Sequence, residues 1–208
     1  MISISYSILT HNETHSLLKL INFLVDYKDD EDEIVIVDDY SDNEETKKIL
    51  DATVSIYDIK FEQRHLLKDF AGQKNHLRKM CSKDYIFNLD ADELPKLHLM
   101  RNIKAILETN PVVDLIWVPR INTVEGLTDE HIKQWRWNVN EKGWVNFPDW
   151  QGRIHKNRPN IRWKKAVHEV MEGYNEYSFL PAEEEYCIVH HKNIQKQETQ
   201  NKFYEGIN

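Results

Sequence analysis

Residues 84–93 read Asp-Tyr-Ile-Phe-Asn-Leu-Asp-Ala-Asp-Glu, a stretch in which an apolar segment runs directly into a cluster of acids. The segment 85–89 predicts a buried β-strand. Because open α/β sheets bind ligands outside the carboxyl ends of their strands, Asp90 and Asp92 stand where a bound group is expected. Carboxylates suit a hard divalent cation such as Mg²⁺ or Mn²⁺. The alternative is a helix N-terminus, whose dipole favours acidic side chains.

Strand-like and helix-like patterns alternate on both sides of this stretch. The other segments predicted as strands are 2–9, 34–37, 54–60, 112–118 and 186–189. The segments predicted as helices begin near Leu17 and Leu97, cover 70–80, and include the polar tail 195–206. Ser41 and Glu44 also fit a capping box at the start of a helix. This alternation predicts an α/β fold, with a mixed, mostly parallel sheet flanked by helices in a single compact domain.

Composition limits the classes of protein that the chain can represent. The 208 residues carry a formal net charge of -8 and a mean hydropathy of -0.66, and an acidic chain has no general attraction for nucleic acid or anionic membranes. No run of about 18 apolar residues occurs, so we expect no integral membrane segment. The first residues lack the pattern of a signal peptide. Two distant cysteines favour a reducing compartment, and we predict a cytoplasmic protein.

The pattern changes after about residue 120, where the alternation weakens and tryptophans become frequent. We therefore predict a nucleotide-binding half over 1–118 and a second half over 119–208 that completes the site. Five of the six tryptophans fall between 135 and 163; they are candidates for stacking on sugars, although tryptophan is more often a core residue. The stretch 150–168 has no acid and contains Arg153, Lys156, Arg158, Arg162, Lys164 and Lys165. It could hold a diphosphate or an anionic acceptor.

Polar residues also follow the first two predicted strands. Asp38 and Asp39 could accept hydrogen bonds from a nucleobase or a ribose, or could cap the next helix. Thr10, Asn12 and Glu13 could line a base pocket, or could form an ordinary turn.

Cationic and metal-binding side chains are found near other predicted strands. Lys74 could meet a diphosphate, or could simply be solvated. Neutral imidazole is a common metal ligand, so a histidine of the pair His190-His191 could join the two carboxylates on one cation. Adjacent strand residues point to opposite faces, so only one of the two is expected to reach the site. The alternative is a hydrogen-bonded structural histidine.

Taken together, these segments resemble the family 2 glycosyltransferases of the GT-A fold. Residues 7–13 resemble the family's opening strand and Asn-Glu turn, and residues 34–42 resemble its Val-Asp-Asp-Gly-Ser-x-Asp signature with Tyr40 replacing Gly. Residues 71–75 resemble its Ala-x-x-Arg-Asn segment with Lys74 replacing Arg, and residues 84–93 resemble its Asp-x-Asp motif. The second half is similar to a subgroup that includes lipopolysaccharide-core glucosyltransferases, through 151–156, 161–169 and 188–192.

The resemblance implies an inverting transferase that moves a sugar from a nucleoside-diphosphate sugar, such as a UDP-sugar, to an acceptor hydroxyl. Thr10 and Asp38 would then contact the base, and Lys74 would contact the nucleotide. Asp90 would lie near the ribose and the metal, while Asp92 and His190 would bind Mn²⁺ or Mg²⁺. The remaining candidates for donor binding are Asn12, Glu13, Asp39 and Arg153.

The general base is less clearly indicated. Many relatives place it in a Glu-Asp pair, which the second half of this chain lacks. We favour Glu169 because it follows the basic stretch expected to border the diphosphate, with Asp149 as the second candidate. Alternatively, Glu169 forms a salt bridge with Arg162 or Lys165.

The sequence leaves more than one acceptor and more than one reaction class open. The acceptor could be a glycan, a protein, a lipid-linked sugar or, as a minor possibility, a modified base of nucleic acid. A nucleotidyltransferase of similar fold would use similar carboxylates but would release pyrophosphate. A metal-dependent hydrolase would consume the donor without an acceptor, and a binding module would bind the donor without turnover.

Overall fold

The computed structural model describes residues 2–205. The strands are β1 (Ile4–Thr10), β2 (Glu33–Asp38), β3 (Ile59–Gln63), β4 (Tyr85–Asp90), β5 (Glu93–Pro95), β6 (Leu115–Glu125), β7 (Val145–Lys156), β8 (Arg162–Lys164), β9 (Val170–Glu172), β10 (Tyr177–Phe179) and β11 (Ile188–Asn193). The helices are α1 (His15–Tyr27), α2 (Glu44–Ile56), α3 (Phe70–Met80), α4 (Leu97–Thr109), α5 (Asp129–Trp135) and α6 (Ile194–Glu205).

Nine strands form one mixed sheet in the order β3-β2-β1-β4-β7-β6-β11-β5, with β10 also paired to β6. β3, β2, β1 and β4 run parallel to one another. β7 is antiparallel to both of its neighbours, β4 and β6. β8 and β9 form a separate two-stranded sheet. The predicted fold class, a mixed and mostly parallel sheet flanked by helices, is confirmed.

The first strands are buried on both faces because helices cover both sides of the sheet. In β2, Ile34 and Ile36 pack into the core formed with α1 and α4. The alternate residues Val35 and Val37 pack against Leu77 of α3 on the other face. This arrangement explains why these strands are continuous apolar runs in the sequence.

Two predictions around α2 are wrong. The N-cap is Asn43, whose side chain accepts hydrogen bonds from the backbone of Glu45 and Thr46, whereas Ser41 does not cap the helix. The strand predicted over 54–60 is instead the end of α2 followed by β3. Apolar residues at helical spacing, including Leu50 and Val54, pack into the core and extend the helix to its last residue, Ile56.

Boundaries in the second part of the chain also differ from the prediction. The strand predicted from 112 begins only at Leu115, because the backbone N–H of Val113 donates to Asn110 in a turn (3.1 Å) and Val112 is exposed. β6 then runs past the proposed boundary at 118, and strands from both halves share one sheet. The division into halves remains a prediction. The tail is helical as predicted, although its last residue, 206, lies outside the described residues.

Within residues 2–205, no helix has the length and apolar character needed to cross a bilayer.

Glu33 contacts polar residues at or near the amino ends of the parallel strands. Its carboxylate accepts hydrogen bonds from the Ser5 hydroxyl (2.6 Å) and from the Ser82 backbone and hydroxyl (2.6 and 2.8 Å), and it pairs with Lys60 (2.7 Å). Burial alone would raise the pKa of Glu33, but these contacts outweigh burial and lower the pKa to about 2.

We predict that Glu33→Gln lowers the free energy of unfolding at pH 7 by about 2 kcal/mol, because a charged acceptor with several donors is lost. Since the pKa of Glu33 is lowered in the folded state, its contribution is present above the unfolded value of 4.5 and is lost as the pH falls towards 2. Urea unfolding should therefore show a difference between wild type and variant that shrinks over this range. A constant difference would contradict the assignment; the exposed control Glu44→Gln should leave the free energy of unfolding nearly unchanged.

Candidate active site

A cleft of about 850 Å³ lies beside the carboxyl ends of β1 and β4. Its walls also include residues of β6, β7, β11 and α6 and of the segment 163–174. The predicted site residues that line the cleft are Thr10, Glu13, Asp39, Lys74, Asp90, Asp92, Asp149, Arg153, Glu169 and His190. The fold therefore brings together candidates from both halves of the chain.

Asp38 lies beneath the cleft wall and is fully buried. Its carboxylate accepts hydrogen bonds from the Ser41 backbone (2.9 Å), the Ser41 hydroxyl (2.5 Å) and the Gln63 amide (3.0 Å). The next residue, Asp39, reaches the cleft and accepts a hydrogen bond from the Leu66 backbone (2.8 Å). Asp38 thus supports the turn from which Asp39 projects.

Asn12 joins two loops at the rim of this wall. Its side-chain oxygen accepts hydrogen bonds from the backbone of Asp42 and Asn43, both at 3.0 Å. By contrast, the buried hydroxyl of Thr10 has no hydrogen-bond partner among the described residues, and Thr10 lines the cleft. Thr10 is therefore the polar group on this wall that a ligand could satisfy.

A chain of alternating charges forms the floor of the cleft. The buried guanidinium of Arg153 donates to Asp90 (2.6 Å) and to the fully buried carboxylate of Glu93. Glu93 also accepts from Arg120 (2.9 Å), and Arg120 in turn pairs with Asp149 (2.7 Å). Each of these five side chains therefore contacts at least one side chain of opposite charge.

These contacts change the acidities of the carboxyl groups. Burial alone would raise the pKa of Asp90, but the charge of Arg153 outweighs burial and holds the pKa well below its usual range. For Asp149, burial is likewise outweighed, by the charge of Arg120 and by hydrogen bonds from Asn122, Arg120 and Gln151, so the pKa is lowered. Both side chains are therefore held as carboxylates, and Asp149 is a weak proton acceptor.

Asp92 and His190, which both line the cleft, are in direct contact, with 3.1 Å between the Asp92 Oδ2 and His190 Nε2 atoms. The Asn122 amide donates to Asp149, so its oxygen faces His190 Nδ1 at 3.0 Å. For Nε2 to offer a lone pair to a cation, the proton of the neutral ring must lie on Nδ1, where the Asn122 oxygen can accept it; without a cation, Nε2 faces the Asp92 carboxylate, which is itself an acceptor. The imidazole is oriented as in metal-binding histidines, whose other nitrogen is held by a hydrogen bond.

This pair fits a divalent cation. Two neighbouring ligands about 2.1 Å from an octahedral ion lie about 3 Å apart, which is close to the observed separation of the two side chains. No group of three His, Cys, Asp or Glu residues placed to hold a metal occurs between residues 2 and 205. A cation here would therefore need oxygen ligands from a bound substrate and from water, as Mg²⁺ commonly does.

Lys196 of α6 contacts two residues that line the cleft, Glu13 and Asp92. Its ammonium group lies 2.9 Å from Asp92 Oδ2 and forms an ion pair with Glu13. Burial alone would lower the pKa of Lys196, but the charge of Asp92 and contacts with Glu13 outweigh burial and raise the pKa. Glu13 is therefore a partner of Lys196 at the cleft wall, and the ammonium shares a carboxylate oxygen with His190.

Lys74 and Glu169 form an ion pair elsewhere on the cleft wall. The Lys74 ammonium also lies 4.5 Å from the centre of the Trp163 ring. Lys74 and the Glu169 side chain are largely buried yet line the cleft. The predicted salt-bridge partners of Glu169, Arg162 and Lys165, are replaced by Lys74.

The basic residues of the stretch 150–168 differ in their surroundings. Only Arg153 among its six basic residues lines the cleft. Lys156 and Arg158 pair with Asp114 (3.2 and 3.0 Å), and Lys164 lies 3.8 Å from Glu172. Within the cleft, therefore, Arg153 is the residue of this stretch that could meet a diphosphate, and binding of an anionic acceptor by the stretch stays a prediction.

Sequence reasoning assigned no role to Glu93, Arg120 or Lys196. Arg120 lay beyond the predicted end of its strand, and Lys196 lies in a tail without an apolar pattern. The one available signal was Glu93, an acid directly after a buried strand and the Asp-x-Asp motif.

The sequence matches the family model described as Glycosyl transferase family 2 over residues 5–171. No curated protein matches it. Among solved structures, S. aureus TarS 1–349 in complex with UDP-GlcNAc has a TM-score of 0.63 and 16% identity, covering 92% of this chain and 59% of that chain. S. aureus TarS has a TM-score of 0.60 and 16% identity, covering 92% and 37%. The chain thus spans less than two thirds of these TarS chains. The GT-A fold is confirmed, whereas the lipopolysaccharide-core subgroup is not.

We predict that Arg153→Met lowers the free energy of unfolding by about 3–5 kcal/mol, because it leaves buried Glu93 with one cation fewer. Combining it with Glu93→Gln should cost at least about 1 kcal/mol less than the sum of the two single losses, since the two side chains interact. Denaturant unfolding measures all three variants. The exposed control Arg158→Met should cost less than about 1 kcal/mol. Additive losses at Arg153 and Glu93 would contradict the proposed charge chain.

Proposed function

The chain belongs to glycosyl transferase family 2, and from this premise we propose that it transfers a sugar from a UDP-sugar to an acceptor hydroxyl, with inversion at the anomeric carbon. The observation that carries the proposal is the convergence of Asp92, His190, Lys74 and Glu169 on one cleft. A metal-ligand pair, a cation and a carboxylate are the groups that such a transfer needs.

The nucleoside would lie against the β1 and β2 wall. The unpartnered hydroxyl of Thr10 and the carboxylate of Asp39 support this placement, because both line the cleft. Asp38 would act indirectly, by holding the turn that presents Asp39. Asp90, whose side chain is 39% exposed, would lie near the ribose.

The diphosphate would lie where the cationic groups meet. Asp92 and His190 would hold Mn²⁺ or Mg²⁺, which stabilises the charge that develops on the departing diphosphate. Lys74, Arg153 and Lys196 add positive side chains around the same cleft. Fixed charges that face a leaving group in this way lower the barrier to its departure.

The reaction exchanges one bond for another at the anomeric carbon. The acceptor oxygen would form a bond to that carbon on the face opposite the diphosphate. The bond from the carbon to the diphosphate oxygen would break, and its electron pair would leave with UDP. The hydroxyl proton would pass to a carboxylate within hydrogen-bond reach.

Glu169 is better suited than Asp149 to accept this proton. Both oxygens of Asp149 accept hydrogen bonds, from Arg120, Asn122 and Gln151, and its pKa is lowered. Glu169 borders the cleft with Lys74 as its ion-pair partner. When the ammonium of Lys74 turns towards a bound diphosphate, Glu169 would be released to act as the base.

Several finer features belong to the same proposal. The likeness of 151–156 and 161–169 to lipopolysaccharide-core glucosyltransferases supports a saccharide acceptor. Residues 1–118 would supply most of the donor site, and 119–208 would supply the acceptor side. A cytoplasmic location remains a prediction.

We predict that Glu169→Gln lowers kcat at least about a hundredfold while UDP binds at least as tightly as to wild type, because the proton acceptor is lost and Lys74 loses a partner that competes with the diphosphate. Asp149→Asn is the matched control and should retain more of kcat. Release of UDP from the donor measures turnover, and calorimetry measures UDP binding. A mild loss in Glu169→Gln with a large loss in Asp149→Asn would move the role of base to Asp149.

We also predict that Lys196→Met tightens Mn²⁺ binding in the absence of nucleotide, because the ammonium competes for Asp92 Oδ2. Removing one like charge close to the ion should lower the Kd by about fivefold. Electron paramagnetic resonance of free Mn²⁺ measures the affinity. Lys202→Met, which removes an exposed charge from the same helix, should have no effect, and Asp92→Asn should abolish binding. Equal or weaker binding by Lys196→Met would contradict the competition.

A further inference from the structure

Five aromatic side chains form a continuous surface next to the cleft. This aromatic platform consists of Trp117, Trp150, Tyr174, Tyr177 and Phe179. It is assembled across β6, β7 and β10 and the segment that precedes β10. Trp117 and Phe179 are partners in the pairing of β6 with β10, so the sheet itself places two of the rings side by side.

The rings contact one another in sequence. Phe179 lies parallel to Trp117, with ring centres 5.9 Å apart, and meets Trp150 edge-on at 4.9 Å. Tyr177 meets Phe179 edge-on at 5.8 Å and Tyr174 edge-on at 6.1 Å. The surface therefore presents ring faces in more than one orientation, at spacings comparable with the width of a pyranose ring.

Two rings of the platform are exposed and the other three are partly buried, whereas the rings of a core cluster would all be buried. Tyr177 is 55% exposed and Phe179 is 49% exposed. Exposed aromatic side chains that lie together in this way are typical of an interaction site. The platform is also continuous with the cleft, because Trp117 and Tyr174 line the cleft together with Glu169.

The charge of the surrounding chain restricts what can bind. Residues 169–185 contain no lysine or arginine and six glutamates, of which Glu169, Glu172 and Glu184 pair with lysines of other segments. A phosphorylated saccharide, a nucleic acid or an anionic lipid surface would meet unfavourable charge here. A neutral ligand would meet no such repulsion. Its C–H groups could pack on the ring faces, which carry partial negative charge, and its hydroxyls could bond to the two tyrosines.

We propose that the aromatic platform binds the sugar residues of a neutral oligosaccharide acceptor, whose terminal hydroxyl enters the cleft beside Glu169. This inference rests on the proposed glycosyl transfer and specifies its acceptor. The rings would hold the chain by stacking, and Trp117 and Tyr174 would lead its end towards the anomeric carbon.

The test measures binding of neutral tetrasaccharides to the whole protein in the presence of UDP and Mn²⁺. Maltotetraose, cellotetraose and chitotetraose are the probes, and tryptophan fluorescence is the readout. At least one of them should bind saturably. Tyr177→Ala, and Tyr177→Ala with Phe179→Ala, should raise its Kd, the double variant by at least about tenfold. Tyr27→Ala, an exposed tyrosine on α1, is the matched control and should bind like wild type.

The outcomes separate this inference from the proposed function. UDP affinity, measured by calorimetry, should be the same in all variants; if UDP does not bind even to wild type, the proposed function itself fails. If UDP binds but no tetrasaccharide does, or if Tyr177→Ala binds like wild type, the platform is not an acceptor site. Tighter binding of an anionic hyaluronan tetrasaccharide would also overturn the proposal. So would concentration-dependent dimerisation that the double variant abolishes.

Discussion

The cleft depends on the ion pairs that the buried guanidinium of Arg153 forms with Asp90 and Glu93. Arg153 lies on the antiparallel strand β7, whereas Asp90 ends the parallel strand β4 and Glu93 begins β5, so the two acids flank Asp92 in the sequence. Removing a charged group from water is costly unless opposite charges surround it. The ion pairs therefore fix how β7 meets the parallel strands, and with it the position of Asp92.

The same balance of charge extends through the site. Lys74 has Glu169 as its carboxylate partner and Lys196 has Glu13 and Asp92. Lys192, which also lines the cleft, donates to the Gln200 amide oxygen instead. An acidic protein with a formal charge of -8 can thus present several cations to a diphosphate. When the anionic donor enters, these cations would exchange carboxylate partners for phosphate oxygens, which would release the carboxylates for metal binding and proton transfer. The glutamates near the aromatic platform would disfavour anionic acceptors, so neutral acceptors would be expected there.

Local patterns predicted the parallel part of the fold because they arise from local physics. Strands buried on both faces are apolar runs, and acids after such runs lie at one sheet edge, so Asp90 and Asp92 could be placed from the sequence. The cap at Ser41 and the strand over 54–60 failed because Asn43 offered a better cap and Leu50 and Val54 packed as helix. The linked ion pairs of the cleft floor, which include Arg153 and Asp149, depend on contacts between residues far apart in sequence. So does the position of Lys196, and no local pattern contains such contacts.

The central claim is that the cleft binds an activated sugar through a cation held by Asp92 and His190. Thermal unfolding with UDP-sugars, with and without Mn²⁺, tests it most directly, because a ligand of the native state raises stability by mass action. With the UDP-sugar at about a hundred times its Kd and Mn²⁺ present, the Tm of wild type should rise by about 5 °C or more. Asp92→Asn should lose the part of this rise that depends on Mn²⁺. No shift with any UDP-sugar, or the same Mn²⁺-dependent shift in Asp92→Asn, would contradict the claim.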